Sequence, residues 1–364
     1  MPEQPIPLVD VKAQFAPLRA ELEARFADVL DGGQFIKGPH FHAFQQEAAG
    51  RLGVKGSVGV ANGTDALVLV LDALEIGPGD EVICPAFTFY ATAEAIARRG
   101  ATPVFADVDP VTLDVDPEDV AARITDRTRA IMPVHLFGRP AAMDDLAGLG
   151  PDLIEDAAQA FGAPGIAKQG RISTFSFFPT KNLFCLGDGG LVASDDEELL
   201  DRVRVLAFHG SRDKVDFDFV GYNSRLDELQ AAFLRIFLTK IDEWNEGRRE
   251  AASRYAELGL GDLVELPQDE PGHIYHLFVC RSPERDAIRR ALLDAKIGTA
   301  TYYVTPLHLQ PALRFLGYEP GSLPETERVA GENFSVPLWP GMPVEAQERV
   351  VGVVRSAVGV AANA

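Results

Sequence analysis

Between residues 56 and 195, short runs of apolar residues alternate with stretches whose apolar positions recur at every third or fourth place. The runs lie at 57–61, 81–85, 102–108, 130–136, 152–156, 172–178 and 190–193, with helical patterns at 65–75, 92–99, 117–123 and 143–149. Strands that are apolar throughout are covered on both faces, and their alternation with helices predicts a mostly parallel sheet between helical layers. The last two runs are joined mainly by a loop, so the sheet is expected to be mixed. Upstream, Phe15, Leu18, Leu22, Phe26 and Val29 predict an amphipathic helix over 11–30, ended by Gly32-Gly33. Downstream, a long helical pattern runs from 226 to about 258 with no proline and one glycine, Gly247. After Gly259 the pattern becomes a smaller α/β unit. Its elements are a strand at 273–281, a helix at 284–296 and further helices near Leu313, Glu325 and Glu345. The expected division is a large domain over 1–245 and a small C-terminal domain over 246–364.

Composition narrows the class. With 364 residues, 46% hydrophobic and 24% charged, the chain can bury a sizeable core. No apolar run approaches the roughly 18–20 residues of a membrane span. Residues 1–12 lack the apolar centre of a signal peptide, so a cytoplasmic protein with no membrane partner is expected. The formal net charge of −20 argues against nucleic acid as a partner. It also means that an anionic substrate would have to be held by local donors. Cys84, Cys185 and Cys280 form no CxxC pair, so neither a disulfide framework nor a metal site is suggested.

Candidate chemistry gathers where strands end, the place at which open α/β sheets bind ligands. Asn62-Gly63-Thr64-Asp65 follows one run and opens a helix; it suits a phosphate, and equally a plain helix cap. Glu155-Asp156-Ala157-Ala158-Gln159 ends another run, where an acid faces a cofactor ring nitrogen or caps the next turn. Ser176 to Asn182 places Lys181 just past an apolar strand, before Gly187-Asp188-Gly189-Gly190. A partly buried lysine there is a candidate nucleophilic amine; the alternative is a surface lysine with a buried stem. Gly221 to Gln230 reads as a polar loop entering a helix. A phosphate-type loop, a strand-end aspartate and a lysine, in that order, are the parts that pyridoxal 5′-phosphate (PLP) requires.

These segments resemble the DegT/StrS family of sugar aminotransferases, through NGTDAL, FTFYATAEAI, PVHLFG, EDAAQAFGA, FSFFPTKN, GDGG and GYNSRLDELQAA. The similarity runs from Gly33 to Pro311. It implies the type I aminotransferase fold and PLP as cofactor. Lys181 matches the family's Schiff-base lysine, where some sugar dehydratases of related fold carry histidine. The resemblance places Asp156 at the pyridine nitrogen, Gln159 near the 3-hydroxyl and Phe89 on the ring face. Gly63, Thr64 and Ser176 fall at the phosphate, with Asp65 in the same loop. Asn223 is expected at the phosphate of a neighbouring subunit, which implies a homodimer with shared active sites. His308 is a possible substrate contact or a structural histidine. Two departures stand out: Phe161 where the family commonly has histidine, and a short 164–171 segment.

The implied reaction takes an amino group from an amino acid, usually glutamate, to a keto group at C3 or C4 of a nucleotide-linked sugar. The stretch HGSRDKVDFDFVGYNSRLDELQ is more similar to members acting at C3. Lys37, Arg212 and Lys214 are candidates to meet the diphosphate, or are solvated loop charges. The competing readings are a PLP-dependent sugar dehydratase, transamination of a non-sugar ketone, and a non-catalytic regulator that keeps the fold. A nicotinamide dehydrogenase is disfavoured, since no GxGxxG follows a strand at the start of a βαβ unit.

Overall fold

A computed structural model of the chain describes residues 4–361, with side chains to 359. Seven of its strands form one sheet: β1 (Gly56–Val60), β2 (Glu81–Pro85), β3 (Thr102–Ala106), β4 (Thr128–Ile131), β5 (Asp152–Asp156), β6 (Ile172–Ser176) and β7 (Gly190–Ser194). Their spatial order is β1-β7-β6-β5-β4-β2-β3. All run parallel except β7, which pairs antiparallel with both β1 and β6. The expected mixed, mostly parallel sheet is therefore present.

Helices cover both faces. Gly63–Ala73, Ala91–Arg98 and Glu197–Ala207 bury Leu69, Val70, Ile96 and Val203 against Val58, Val82 and Val192. On the other face Pro39–Leu52 and Glu228–Leu238 bury Phe44, Ala48 and Phe237 with Phe175 and Phe177. The helix Pro39–Leu52 buries Phe41, Phe44, Ala48, Ala49 and Leu52 along one face. Its start is also held by Glu228, whose buried carboxylate accepts from the free N–H groups of His40 (2.6 Å) and Phe41 (2.9 Å). A second, two-stranded sheet of β8 (Phe278–Arg281) and β9 (Asn333–Val336) anchors the C-terminal part.

Three expected elements differ. The 11–30 helix is interrupted: Val11–Phe15 passes through a 3₁₀ turn at Ala16–Leu18 before Arg19–Gly32. Pro17 has no N–H to continue the first segment. Leu22 and Val29 are buried, whereas Phe26 (43%) and Leu30 (52%) are exposed. The 226–258 helix breaks between Glu228–Leu238 and Ile241–Glu257, where the Thr239 hydroxyl donates to the Ile236 carbonyl at 2.7 Å. Position 245 falls inside the second of these helices. Its start (Ile241, Trp244) packs with the large sheet and its end (Ala251, Tyr255) with β8 and β9. The 273–281 strand is ordered as a strand only from Phe278; residues 273–277 are pinned to the turn Leu136–Gly138 instead, where the Ile274 N–H donates to the Gly138 carbonyl at 2.9 Å. No helix among the described residues is long and apolar enough to cross a membrane.

The reversed strand sets a tight constraint at the edge where the parallel strands' carboxyl ends gather. Gly190 opens β7 beside Asn62, and a Cβ there would come within 2.5 Å of the Asn62 carbonyl carbon. Backbone cannot yield as a flexible side chain does. Gly190→Ala is expected to cost about 1–3 kcal/mol, measured as a lower denaturation midpoint; an unchanged midpoint would show that this approach is loose.

Candidate active site

The carboxyl ends of β1, β2, β5 and β6 meet at one edge and open on a cavity of about 890 Å³, within the range of small-molecule and cofactor sites. Asn62, Gly63, Thr64 and Asp65 follow β1. The Asn62 side chain accepts from the Asp65 N–H at 2.8 Å and so caps the helix Gly63–Ala73. The cap and phosphate readings of this segment are thus compatible, because capping engages Asp65 and leaves the Gly63 and Thr64 amides at the cavity. Ser176, at the end of β6, closes against this loop, and a Cβ on Gly63 would lie 2.8 Å from the Ser176 Cβ.

Asp156 ends β5 and is 5% exposed. One carboxylate oxygen accepts from the Thr92 hydroxyl (2.9 Å) and the other from the Ala158 N–H (3.2 Å). Burial pushes its pKa up, while Thr92, Ala158 and the charges of Lys181 and His135 oppose that rise. Lys181 lies in the loop after β6, and its side chain lines the same cavity. Burial lowers its amine to about 8, against the counter-pull of Asp156. Its Nζ has no hydrogen-bond partner among the described residues. An amine of this kind is partly unprotonated near neutrality and available for reaction.

The neighbouring acid is structural. Glu155 is fully buried and accepts from the Ala167 (2.7 Å) and Gly170 (2.6 Å) amides and from His135 Nε2 (3.1 Å). His135 Nδ1 accepts from the Ala141 N–H at 3.0 Å, which leaves the proton on Nε2. The 164–171 segment thus wraps the Glu155 carboxylate, and burial, which raises that group, is outweighed by these donors.

Gln159 is held at both ends: Oε1 accepts from the Phe137 N–H (2.8 Å), and Nε2 donates to the Tyr303 hydroxyl (3.1 Å). Phe89, 57% exposed, stands over the cavity with its ring centroid 6.2 Å from that of Tyr303. Phe161, to which the sequence assigned no role, packs in the core on Phe175 and Phe177. Thr92, Tyr302, Tyr303 and His276 belong to the site and were not singled out from sequence. Thr92 lies within the FTFYATAEAI stretch, but its partner Asp156 is 64 positions away, and no quoted motif covers Tyr302, Tyr303 or His276.

Five sequence candidates are not brought into this cavity. Asn223 is exposed and pairs with Phe208. Arg212 is exposed and its guanidinium bonds Asp201 (2.9 Å). Lys37 and Lys214 place their ammonium groups 3.4 and 4.8 Å from the Phe208 ring centroid. Lys37 there lines a separate small pocket with Arg204 and Arg225. Burial and the charge of Arg225 lower its pKa. His308 is buried, its Nε2 3.1 Å from Glu327 and its ring edge-on to Tyr318, which is the arrangement of a structural histidine.

The arrangement fits a ligand that carries an anionic group, a ring with a basic nitrogen and a carbonyl open to an amine. The helix amides and Ser176 could meet the first, Asp156 the second and Lys181 the third. Comparison with known proteins points the same way. The model of the DegT/DnrJ/EryC1/StrS aminotransferase family matches residues 17–355. A UDP-N-acetyl-3-dehydro-α-D-glucosamine 3-aminotransferase of Acidithiobacillus ferrooxidans is 45% identical, covering 96% of this chain and 97% of the relative. A protein of Geobacillus stearothermophilus named pleiotropic regulatory protein is 43% identical, covering 95% and 96%. The crystal structure of NtdA from Bacillus subtilis with bound cofactor PMP superposes with a TM-score of 0.92 at 30% identity, covering 98% of this chain and 86% of that one.

The depressed Lys181 amine has a direct readout. In competitive acetylation with peptide mapping, Lys181 should become reactive as pH rises through about 8. Solvated lysines should follow near their ordinary value of about 10.4. A Lys181 midpoint at the ordinary value would show that the cavity does not desolvate it.

Proposed function

The chain belongs to the DegT/DnrJ/EryC1/StrS aminotransferase family, and we propose that it is a PLP-dependent enzyme transferring an amino group from glutamate to the 3-keto group of a nucleotide-linked sugar. One observation carries the reading: Lys181 and Asp156, on adjacent strand ends, open on one cavity whose far side is the Gly63–Thr64 helix start closed by Ser176. The 45% identical relative, whose name assigns its action to position 3 of a UDP-sugar, supports the carbon and the substrate class. The division into a large domain over 1–245 and a small one over 246–364 stands as part of this proposal. The two separate hydrophobic clusters at the ends of the helix Ile241–Glu257 support it.

PLP, when bound, supplies a carbonyl that accepts an amine and a ring that withdraws electrons from the amino-bearing carbon. The chain supplies the rest. Gly63, Thr64 and Ser176 would hold the phosphate through backbone amides and a hydroxyl, with Asp65 in the same loop. Asp156, fixed by Thr92 and Ala158, presents a carboxylate in a low-dielectric setting where pairing with a protonated ring nitrogen is strong. Gln159, anchored by Phe137 and Tyr303, has one N–H left to give, and Phe89 offers a ring face. Lys181 provides the amine and, once free, a base whose pKa near 8 suits proton transfer at neutral pH.

We extend the proposal to a cytoplasmic homodimer with shared sites. Within one chain the cavity carries four carboxylates, Asp65, Glu94, Asp156 and Asp188, against Arg98 and Lys181. An anionic sugar nucleotide calls for more positive charge than that. Lys37, Arg204, Lys214 and Arg225 form a cationic group at Phe208, beside Asn223 and the exposed Val215, Phe217 and Val220. A second copy laying this surface over the cavity would cover those apolar side chains and bring cations to the diphosphate. The free, buried thiols of Cys84, Cys185 and Cys280 support a reducing compartment. The relative named as a regulatory protein keeps a non-catalytic reading in view.

The purified protein should show a visible absorbance band that glutamate bleaches and that Lys181→Ala does not form. A protein that stays colourless with added PLP would favour the regulatory reading. Lys214→Ala should raise KM for the sugar nucleotide about tenfold, the loss of one charge-assisted bond, and leave bleaching by glutamate intact. An unchanged KM would remove Lys214 from the site.

A further inference from the structure

The Lys181 amine has no hydrogen-bond partner among the described residues, and its four-carbon stem is flexible. Where that amine stands is therefore decided by the loop that carries it. The next residue anchors that loop. Asn182 is fully buried, and its Nδ2 donates to the Oδ1 of Asn245 at 3.0 Å, across 63 positions. Two residues further on, Phe184 stacks on Phe237 and Trp244, with ring centroids 4.7 and 5.5 Å away. The lysine loop is thus fastened to the start of the helix Ile241–Glu257 twice, by a polar contact at Asn245 and an apolar one at Trp244.

Asn245 also holds a second loop. Its Nδ2 donates to the Phe161 carbonyl at 3.4 Å, in the loop after β5 that carries Gln159. That loop comes so near that a Cβ on Gly162 (φ 89°) would stand 2.8 Å from the Asn245 Nδ2. One buried amide thereby joins the loops that leave Asp156 and Ser176, the last residues of β5 and β6.

Arg248, on the same helix, orients this amide. Its Nη1 lies 3.5 Å from the Asn245 Oδ1, and its Nη2 donates to the Gln14 Oε1 at 3.2 Å. Arg248 is buried and no carboxylate acts on it; burial alone lowers its pKa, to about 9. A buried guanidinium without a counter-ion is costly, and it depends on amide oxygens for what compensation it has. With a cation on that side, the Asn245 amide cannot present its own NH2 there. The oxygen stays toward Asn182 and the nitrogen toward Phe161. The far end of the helix reaches the second sheet, where the Tyr255 hydroxyl donates to the Pro337 carbonyl, just past β9, at 2.7 Å.

We propose that Asn245 is a positioning residue for Lys181. It clamps the loops after β5 and β6 to the helix that reaches the β8–β9 sheet, and so sets where the lysine amine stands in the cavity. The inference rests on Lys181 being the working amine of the proposed transamination.

Every test uses the full chain stripped of cofactor. In competitive acetylation, Asn245→Leu should raise the Lys181 midpoint from about 8 by about one pH unit, because a loosened loop readmits water to the amine and favours its charged form. In amide hydrogen exchange, residues 178–186 should exchange about tenfold faster, while β3 keeps the parent's protection. Asn245→Asp keeps an oxygen for Asn182 and for Arg248, and should restore the loop's protection. A leucine variant whose Lys181 midpoint does not move, or whose exchange quickens alike across the whole sheet, overturns the proposal. So does an aspartate variant whose loop stays unprotected. Where the leucine variant does not fold, Asn182→Ala cuts the same bond from the loop side and is judged by the same midpoint and exchange. A protein that binds no PLP would defeat the functional reading, whereas these measurements judge Asn245 without the cofactor.

Discussion

The site depends on keeping two opposite charges, Asp156 and Lys181, out of bulk water at neighbouring strand ends. Desolvation drives each toward its neutral form: up for the carboxyl, down for the amine. Their mutual attraction and the bonds from Thr92 and Ala158 work against that drift. A carboxylate must stay charged to pair with a ring nitrogen, and an amine must lose its proton to react. The balance is therefore asymmetric, with more hydrogen bonds given to the acid than to the base. The rest of the architecture serves this imbalance. Helices seal both faces of the sheet, and a wrapped loop satisfies Glu155 so that, of this adjacent pair, Asp156 is the one that faces the cavity.

Much of this was legible along the chain because the working residues stand at the ends of apolar runs. Asp156 and Ser176 are the last residues of β5 and β6, and Asn62 to Asp65 follow β1 closely. Where a period-two or fully apolar run stops and glycine, proline or a charge begins, the pattern itself points to the sheet's binding edge. Lys181 was found in the same way. What the pattern could not show is how those residues are held. Thr92 meets Asp156 across 64 positions and Tyr303 meets Gln159 across 144, so neither contact could be read locally, although Thr92 stands in a motif the family shares. Residues 273–277 misled for the opposite reason, since their pattern is locally that of a strand. Tertiary contact with the Leu136–Gly138 turn overrides it.

The charged loop residues show a different limit. Lys37 and Lys214 were chosen for their charge, and the fold gathers them into one cationic surface with Arg204 and Arg225. That surface lies outside the chain's own cavity. Arg212, chosen on the same grounds, is neutralised by Asp201, and His308 is tied to Glu327. Sequence identifies which side chains can bind an anion, but pairing within the fold decides which of them remain free to do so.

The reversed strand β7 also bears on how the site comes together. Ser176 at the end of β6 pairs with Gly190 at the start of β7, so the loop bearing Lys181 is the connection of a local antiparallel pair. The other edge of β7 pairs with β1, where Ser194 meets Gly56 from the far end of the sheet's sequence. Contacts close in sequence form at smaller entropic cost than distant ones. The lysine loop therefore belongs to a segment able to form early, whereas the meeting of Gly63 with Ser176 waits for the pairing of β1 with β7, the longest in sequence among the described strands. The cavity is completed only when the beginning of the sheet returns to its end, which makes the contact of Gly63 with Ser176 a marker that the whole sheet has closed.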